Sequence, residues 1–321
     1  MAGYRELLAV EWDDHAVACF RANFPHVPVY HGDIAKLSVD EVLRRTGLKP
    51  GELDVFDGSP PCQGFSTAGK RNFGDSRNQL FREYVRLLQG LQPKAFVMEN
   101  VSGMVKGHMK LVFAECLRAL KACGYKVSAR LLNAMYFGVP QSRERIIFVG
   151  VRDDVPALPS HPKAQGASIG CEAALRGVIP VTHAPLPKGA NVVFPYIEPG
   201  KDAIDCVPKE VLARYIPKMV KNTTFSFHNI CMRLHPKRPS ITITKQFRGY
   251  SEPAIHFSEH RYLAIEELKA ISSFPGGYKL QGRYQDAYAR IGNSVPPLFM
   301  RAVATHIRDH ILAPHAVHAC A

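Results

Sequence analysis

Short apolar runs separated by amphipathic stretches recur through the first half of the chain, and this alternation restricts the fold more than any other feature. "ELLAV", "LDVFDG", "AFVMENV", "KVSARLLNA" and "RIIFVGV" have the length and apolar content of strands. "DDHAVACFRANF", "FREYVRLLQGL" and "LVFAECLRALKACG" carry apolar residues at helical spacing. Strands separated by helices predict right-handed crossovers and an α/β fold, with a doubly wound, mostly parallel sheet covered on both faces. Ligands of such sheets bind beyond the carboxyl ends of the strands. "DGSPPCQ" and the end of "VMENV" fall at that edge.

From about residue 156 the texture changes to "VPALPSHPKAQGASIG" and "THAPLPKGANVVFPYIEPGKD", rich in Pro and Gly and without period. A second, smaller domain is therefore expected over residues 156–279, with 1–155 and 280–321 forming the first. A chain of 321 residues that is 46% hydrophobic can bury two such cores. The formal charge of +13 suits a polyanionic partner, although a bland basic surface is an alternative. Residues 211–251 sharpen this, holding no Asp or Glu but Arg214, Lys218, Lys221, Arg233, Lys237, Arg238, Lys245 and Arg248. Such a stretch suits phosphate and base-edge contacts better than a merely solvated face. No apolar run is long enough for a membrane span and the first residues include acids, so a cytoplasmic protein without a membrane partner is expected.

The eight cysteines form no CxxC and no Cys/His ligand spacing, so no metal is expected and most read as buried small hydrophobes. Cys62 differs. Pro60 and Pro61 fix the backbone before it, and "QGFSTAG" follows with small, polar residues able to move over a substrate. A thiol so held is a candidate nucleophile, provided a neighbour stabilises what forms after attack. Glu99 at the end of "VMENV" is such a neighbour, since a partly desolvated carboxyl group can donate to a ring nitrogen. In "QSRERI", Arg143 and Arg145 stand at i and i+2, on one face of an incipient strand, where they could grip a phosphate or carbonyl.

The ordered set "SPPCQGFS", "MENV", "QSRERI" and "IGNSVPP", with "EWDD" and "GDI" before it, resembles the cytosine-5 DNA methyltransferases of bacterial type, over essentially the whole chain. The resemblance implies a Rossmann-like catalytic domain that uses S-adenosylmethionine, a target-recognition domain, and duplex DNA as partner. It implies methyl transfer to C5 of a flipped cytosine in a specific sequence, as in a restriction-modification or orphan methylase. Cys62 would add to cytosine C6, Glu99 would engage N3 and N4, Arg145 would hold O2, and Arg143 would assist. Family correspondence places Glu11 on the ribose hydroxyls, Trp12 against adenine and Asp33 on its amine, with Pro60, Leu80, Asn293 and Ser294 completing the cofactor pocket. Gln63, Ser66, Arg77, Arg238, Thr242 and Lys245 would meet DNA. Sequence readout would lie upstream of "RPSITIT", roughly over residues 160–232.

One element of the pattern is not found. The family opens with an apolar strand and an FxGxGG loop around the methionine part of the cofactor, whereas this sequence starts at "MAGYRELLAVEWDD", the point just after it. Three readings follow: a start placed downstream of the true one, a second polypeptide supplying that strand to an otherwise monomeric enzyme, or a non-catalytic DNA-binding remnant. A transfer RNA cytosine-5 methyltransferase is a further alternative, and the Pro- and Gly-rich segment favours DNA. A thiol hydrolase would need a histidine base, and no His lies in a motif beside Cys62.

Overall fold

The computed structural model describes residues 1–61, 76–107, 109–217, 231–247 and 254–313, with the helical backbone alone over 76–78. Cys62, Gln63 and Ser66 lie outside the described residues, as do Lys218, Lys221 and Arg248. The chain packs as two compact units, one of residues 1–133, 144–163 and 301–321, the other of residues 134–143 and 164–300. These packing units cut across the sequence-based domains at residues 134–143, 156–163 and 280–300.

The first unit is built of strands and helices in alternation. Strands β1 (Ala9–Glu11) and β2 (Val29–His31) pair in parallel, joined by helix α1 (Asp14–Asn23). After α2 (Val39–Thr46), β3 (Val55–Gly58) and β4 (Ala95–Val101) pair in parallel, with α3 (Ser76–Leu91) between them. Helix α4 (Met109–Lys121) then leads to β5 (Tyr125–Asn133) and β6 (Glu144–Arg152). The second sheet has the order β3-β4-β6-β5, and β1-β2 is a sheet of its own. Two pairings are parallel and two antiparallel among the described residues, a more even division than the crossovers imply. The cause is the link over 134–143, whose one helical turn, Ala134–Phe137, is too short for a crossover, so β6 returns antiparallel.

Local signals set the helix ends. Asp13 Oδ1 accepts from the Ala16 amide at 2.9 Å to start α1, and Ser38 Oγ accepts from Glu41 at 3.1 Å to start α2. Between the elements, Phe81, Tyr84 and Leu88 of α3 meet Phe96 and Met98 of β4, Val112, Cys116 and Leu120 of α4 and Phe148 of β6 in one core. Leu87 and Leu91, on the neighbouring stripe of α3, pack with Leu37 and Val42, and Leu8, Tyr30 and Phe56 join them. Gly150 shows how tight the first core is: it stands directly opposite Phe96, and a Cβ there would lie 1.9 Å from the Phe96 ring.

His161 in this unit is 8% exposed, with Nε2 3.2 Å from Ser128 Oγ. Burial, with the positive charges of Arg130 and His306, pushes its pKa down to about 4. The unfolded chain binds a proton near pH 6.5 that the folded chain refuses, so stability is full above pH 6.5 and declines as pH falls towards 4. Between pH 7 and pH 5 the loss from this residue is expected to be about 2 kcal/mol. Urea midpoints at the two pH values check it, because His161→Gln removes that part of the acid sensitivity.

The second unit relies less on ladders. Cys171, Leu234, Ile243, Leu263, Leu268, Tyr288 and Ile291 form one core, and Val193, Phe194, Ile197, Cys231, Ile255 and Tyr262 another. Its loops are joined by a side chain, Arg233, which is 3% exposed and donates to the carbonyl oxygens of Phe194, Ile197, His256 and Glu259 at 2.6–2.8 Å. Arg233 is thereby removed from the phosphate candidates; its donors saturate carbonyls that no strand partner meets. Lys237, Arg238 and Lys245 are exposed. The sequence suggests a Gly-Asn turn at 292–293, but these residues end a helix over Tyr284–Asn293, and a second helix, Pro297–Ile307, follows. Among the described residues no helix is long and apolar enough to cross a membrane, and no group of three or more His, Cys, Asp or Glu is arranged to hold a metal ion.

Candidate active site

Strand β4 begins as a fully buried run, Ala95–Met98, and turns polar only at its carboxyl end. Because side chains alternate across a strand, Glu99 and Asn100 face opposite sides of the sheet. Glu99 meets Arg145: in the antiparallel register Arg145 opposes Val101, so one diagonal step brings the two side chains together. Arg145 Nε lies 2.7 Å from Glu99 Oε1, with the side chains only 14% and 12% exposed. Burial pulls the Arg145 pKa down and the adjacent carboxylate opposes that shift. The result is a charge pair largely removed from water at the carboxyl end of β4.

Asn100 works on the other side. It is 6% exposed, and its Nδ2 donates to the carbonyl oxygen of Pro60 at 3.0 Å while its Oδ1 accepts from the Val101 amide at 2.9 Å. Since β3 is parallel to β4, with Gly58 beside Met98, the chain leaving β3 reaches Pro60 level with Asn100. The backbone two residues before Cys62 is thus tied to the strand that carries Glu99. The motif reading brought Asn100 to this edge but did not give it this task.

Arg143 is placed apart from this pair. Its guanidinium donates to the carbonyl oxygens of Ile243 and Gly292 at 2.7 and 2.8 Å, and the residue is 3% exposed. The shared face expected for Arg143 and Arg145 therefore resolves into different partners. Two of the remaining cysteines, Cys171 and Cys231, have thiol pKa values pushed up by burial to about 12, so they hold no thiolate near neutrality.

At the paired ends of β1 and β2, Glu11 stands beside His31 in register, and Asp33 follows two residues later. Glu11 Oε1 accepts from the amides of Trp12 and Asp13 at 2.8 and 3.0 Å, and Asp33 Oδ1 accepts from Ala35 at 2.9 Å. Trp12 is 77% exposed and Leu80 37%. In the second unit Asn293 is exposed, and Ser294 Oγ donates to the Ile291 carbonyl at 2.7 Å. Pro60 is buried. Of the residues expected to meet DNA, Arg238 and Lys245 are exposed and Thr242 Oγ1 donates to the Ser142 carbonyl at 2.7 Å. Arg77 lies in α3, in the part described as backbone only.

The sequence model of the C-5 cytosine-specific DNA methylase family matches residues 1–175 and 201–309. The chain belongs to the C-5 cytosine-specific DNA methylase family. Its relatives include the Type II methyltransferase M1.HphI of Haemophilus parahaemolyticus, 34% identical over 94% of this chain and 80% of the relative. M.NgoPII of Neisseria gonorrhoeae is 30% identical over 96% of this chain and 90% of its own. Among solved structures, the S. pombe Dnmt2 methyltransferase shares the fold at a TM-score of 0.61, with 17% identity over 93% of this chain and 88% of its own.

Membership makes the chain a DNA cytosine-5 methyltransferase by class, with S-adenosylmethionine as its cofactor. The residues at the β1 and β2 ends fit that molecule. Carboxylates are acceptors only, as ribose hydroxyls and an adenine amine require, and an exposed indole offers a flat apolar face. Glu11 and Asp33 each have one oxygen fixed by backbone amides, which holds the carboxylates in place.

Proposed function

We propose that this chain methylates C5 of a flipped cytosine within a specific duplex DNA sequence, through a covalent adduct with Cys62, as the modification partner of a restriction system. The observation that carries this reading is the Glu99–Arg145 pair at 2.7 Å, on the strand whose next residue ties down the backbone leading to Cys62. Cytosine C5 is a weak nucleophile, and a reacting thiol must approach the face of the ring, which stacking blocks in a duplex. With the base flipped, the Cys62 thiolate forms a bond to C6 and electron density passes to C5. Glu99 engages N3 and N4, and Arg145 holds O2 and offsets the charge that develops on the ring. Glu11, Trp12, Asp33, Pro60, Leu80, Asn293 and Ser294 would hold S-adenosylmethionine, which when bound would supply the methyl group to C5, its sulfonium S–CH3 bond breaking to leave the thioether S-adenosylhomocysteine. Transfer of the C5 proton to a water molecule then restores the C5–C6 double bond, and the C6–S electron pair leaves with the Cys62 thiolate.

In this reading residues 1–155 with 280–321 form the catalytic domain and 156–279 the target-recognition domain. Gln63, Ser66, Arg77, Arg238, Thr242 and Lys245 contact DNA. The test is transfer of labelled methyl groups to unmethylated duplex DNA and to transfer RNA, by this chain and by one extended upstream through a strand and an FxGxGG loop. Label in duplex DNA at cytosine C5 is the expected result. Label in transfer RNA alone, or duplex binding without label from either preparation, overturns it.

A further inference from the structure

We infer that Arg143 is a positioning residue rather than a catalytic one, and that its guanidinium sets the DNA-contacting and cofactor-contacting segments of the second unit together. The inference rests on the methyltransferase reading above for what those segments contact. The segment 141–143 runs beside 240–242: Gln141 bridges Ser240 in parallel, Ser142 N donates to Ser240 O at 2.8 Å, and Thr242 Oγ1 donates to Ser142 O. In an extended segment residues i and i+2 share a face, so Gln141 and Arg143 point the same way.

Both act on the Ile243 residue. Gln141 Oε1 accepts from the Ile243 amide at 3.2 Å, and Arg143 donates to the Ile243 carbonyl at 2.7 Å. Two side chains thus satisfy both backbone polar groups of a residue that is 2% exposed. Gln141 also donates to Ser272 Oγ at 3.0 Å, which anchors it from behind. The second arm of Arg143 reaches the Gly292 carbonyl at 2.8 Å. Gly292 is the residue that permits this approach, because a Cβ there would lie 1.9 Å from the Thr244 carbonyl oxygen. One planar fork therefore fastens the backbone between Thr242 and Lys245 to the backbone just before Asn293 and Ser294. Lysine keeps the charge but lacks the planar fork.

The decisive experiment measures steady-state constants of Arg143→Lys for duplex DNA and for S-adenosylmethionine, beside Gln141→Met, with circular dichroism as a check on folding. Arg143→Lys is expected to raise both KM values about tenfold, the worth of one charge-assisted hydrogen bond, with kcat altered less. Gln141→Met, which touches Ile243 but not Gly292, is expected to raise the DNA KM alone. A structural role would reduce the active fraction, lowering kcat with both KM values unmoved, and that result overturns the inference. If Arg143→Lys does not fold, Gln141→Met decides: a selective rise in the DNA KM supports the inference and unchanged constants reject it. Absence of methyl transfer from both the unmutated chain and its upstream-extended form would instead count against the methyltransferase reading itself.

Discussion

Cys62→Ala is expected to lower methyl transfer to duplex DNA by about ten-thousand-fold or more, the scale on which removal of a nucleophile acts. Duplex affinity should stay within about twofold, since the contacts that grip phosphates and base edges are made by other side chains. Substrate carrying fluorine at cytosine C5 gives a second readout. Fluorine cannot leave as a proton does, so the C6–sulfur bond persists and the protein migrates with DNA on a denaturing gel. Cys62→Ala should give no such band. Retained transfer in that variant, or a band that survives it, would transfer the nucleophile to another residue. Cys171 and Cys231 are poor substitutes, because burial has raised both thiols far above neutrality.

Arg145→Ala should lower kcat about 100- to 1,000-fold, as the loss of one preorganised donor at a charge-developing atom does. It also leaves Glu99 at 12% exposure without its ion-pair partner. The expected stability cost is about 2 kcal/mol, less than for a fully buried pair because some water reaches both groups. Arg145→Lys should recover part of the stability and little of the rate, since one ammonium cannot reproduce the planar fork. Single-turnover rates and urea midpoints on the same preparations separate the effects. The pattern is opposite to that expected of Arg143→Lys, in which the Michaelis constants move and the rate is largely kept. Two arginines two positions apart are thus distinguishable by which constant each controls.

How far these assignments could be read beforehand depends on whether the cause is local. The uninterrupted apolar run of β4 requires burial on both faces, and Ala95–Met98 is buried as such a run demands. The helices between strands follow from their spacing. The antiparallel return of β6 has no local signature; it follows from a link too short for a crossover and from pairing with β4. Glu99 and Arg145 were both marked by motif, but their contact depends on the β4–β6 register. Arg233 looked like one more surface cation because its four acceptors, one in the short helical turn Phe194–Tyr196 and three outside helices and strands, follow no period in the sequence. Gly292 signalled a turn, yet what requires glycine there is the approach of Thr244, more than forty positions away in the chain.

The opposed facing of Glu99 and Asn100 has a consequence for how this chain can vary. A side-chain period of two means that one residue inserted or deleted within β4 exchanges the two positions. The amide would then face Arg145, and the carboxylate would be turned into the buried pocket where Pro60 offers only a carbonyl oxygen, an acceptor facing an acceptor. A substitution at Glu99 or at Asn100 alters one of the two contacts, whereas a change of length by a single codon upstream of them in β4 displaces both in one event. Length variation among functioning homologues should therefore be confined to the loops on either side of β4.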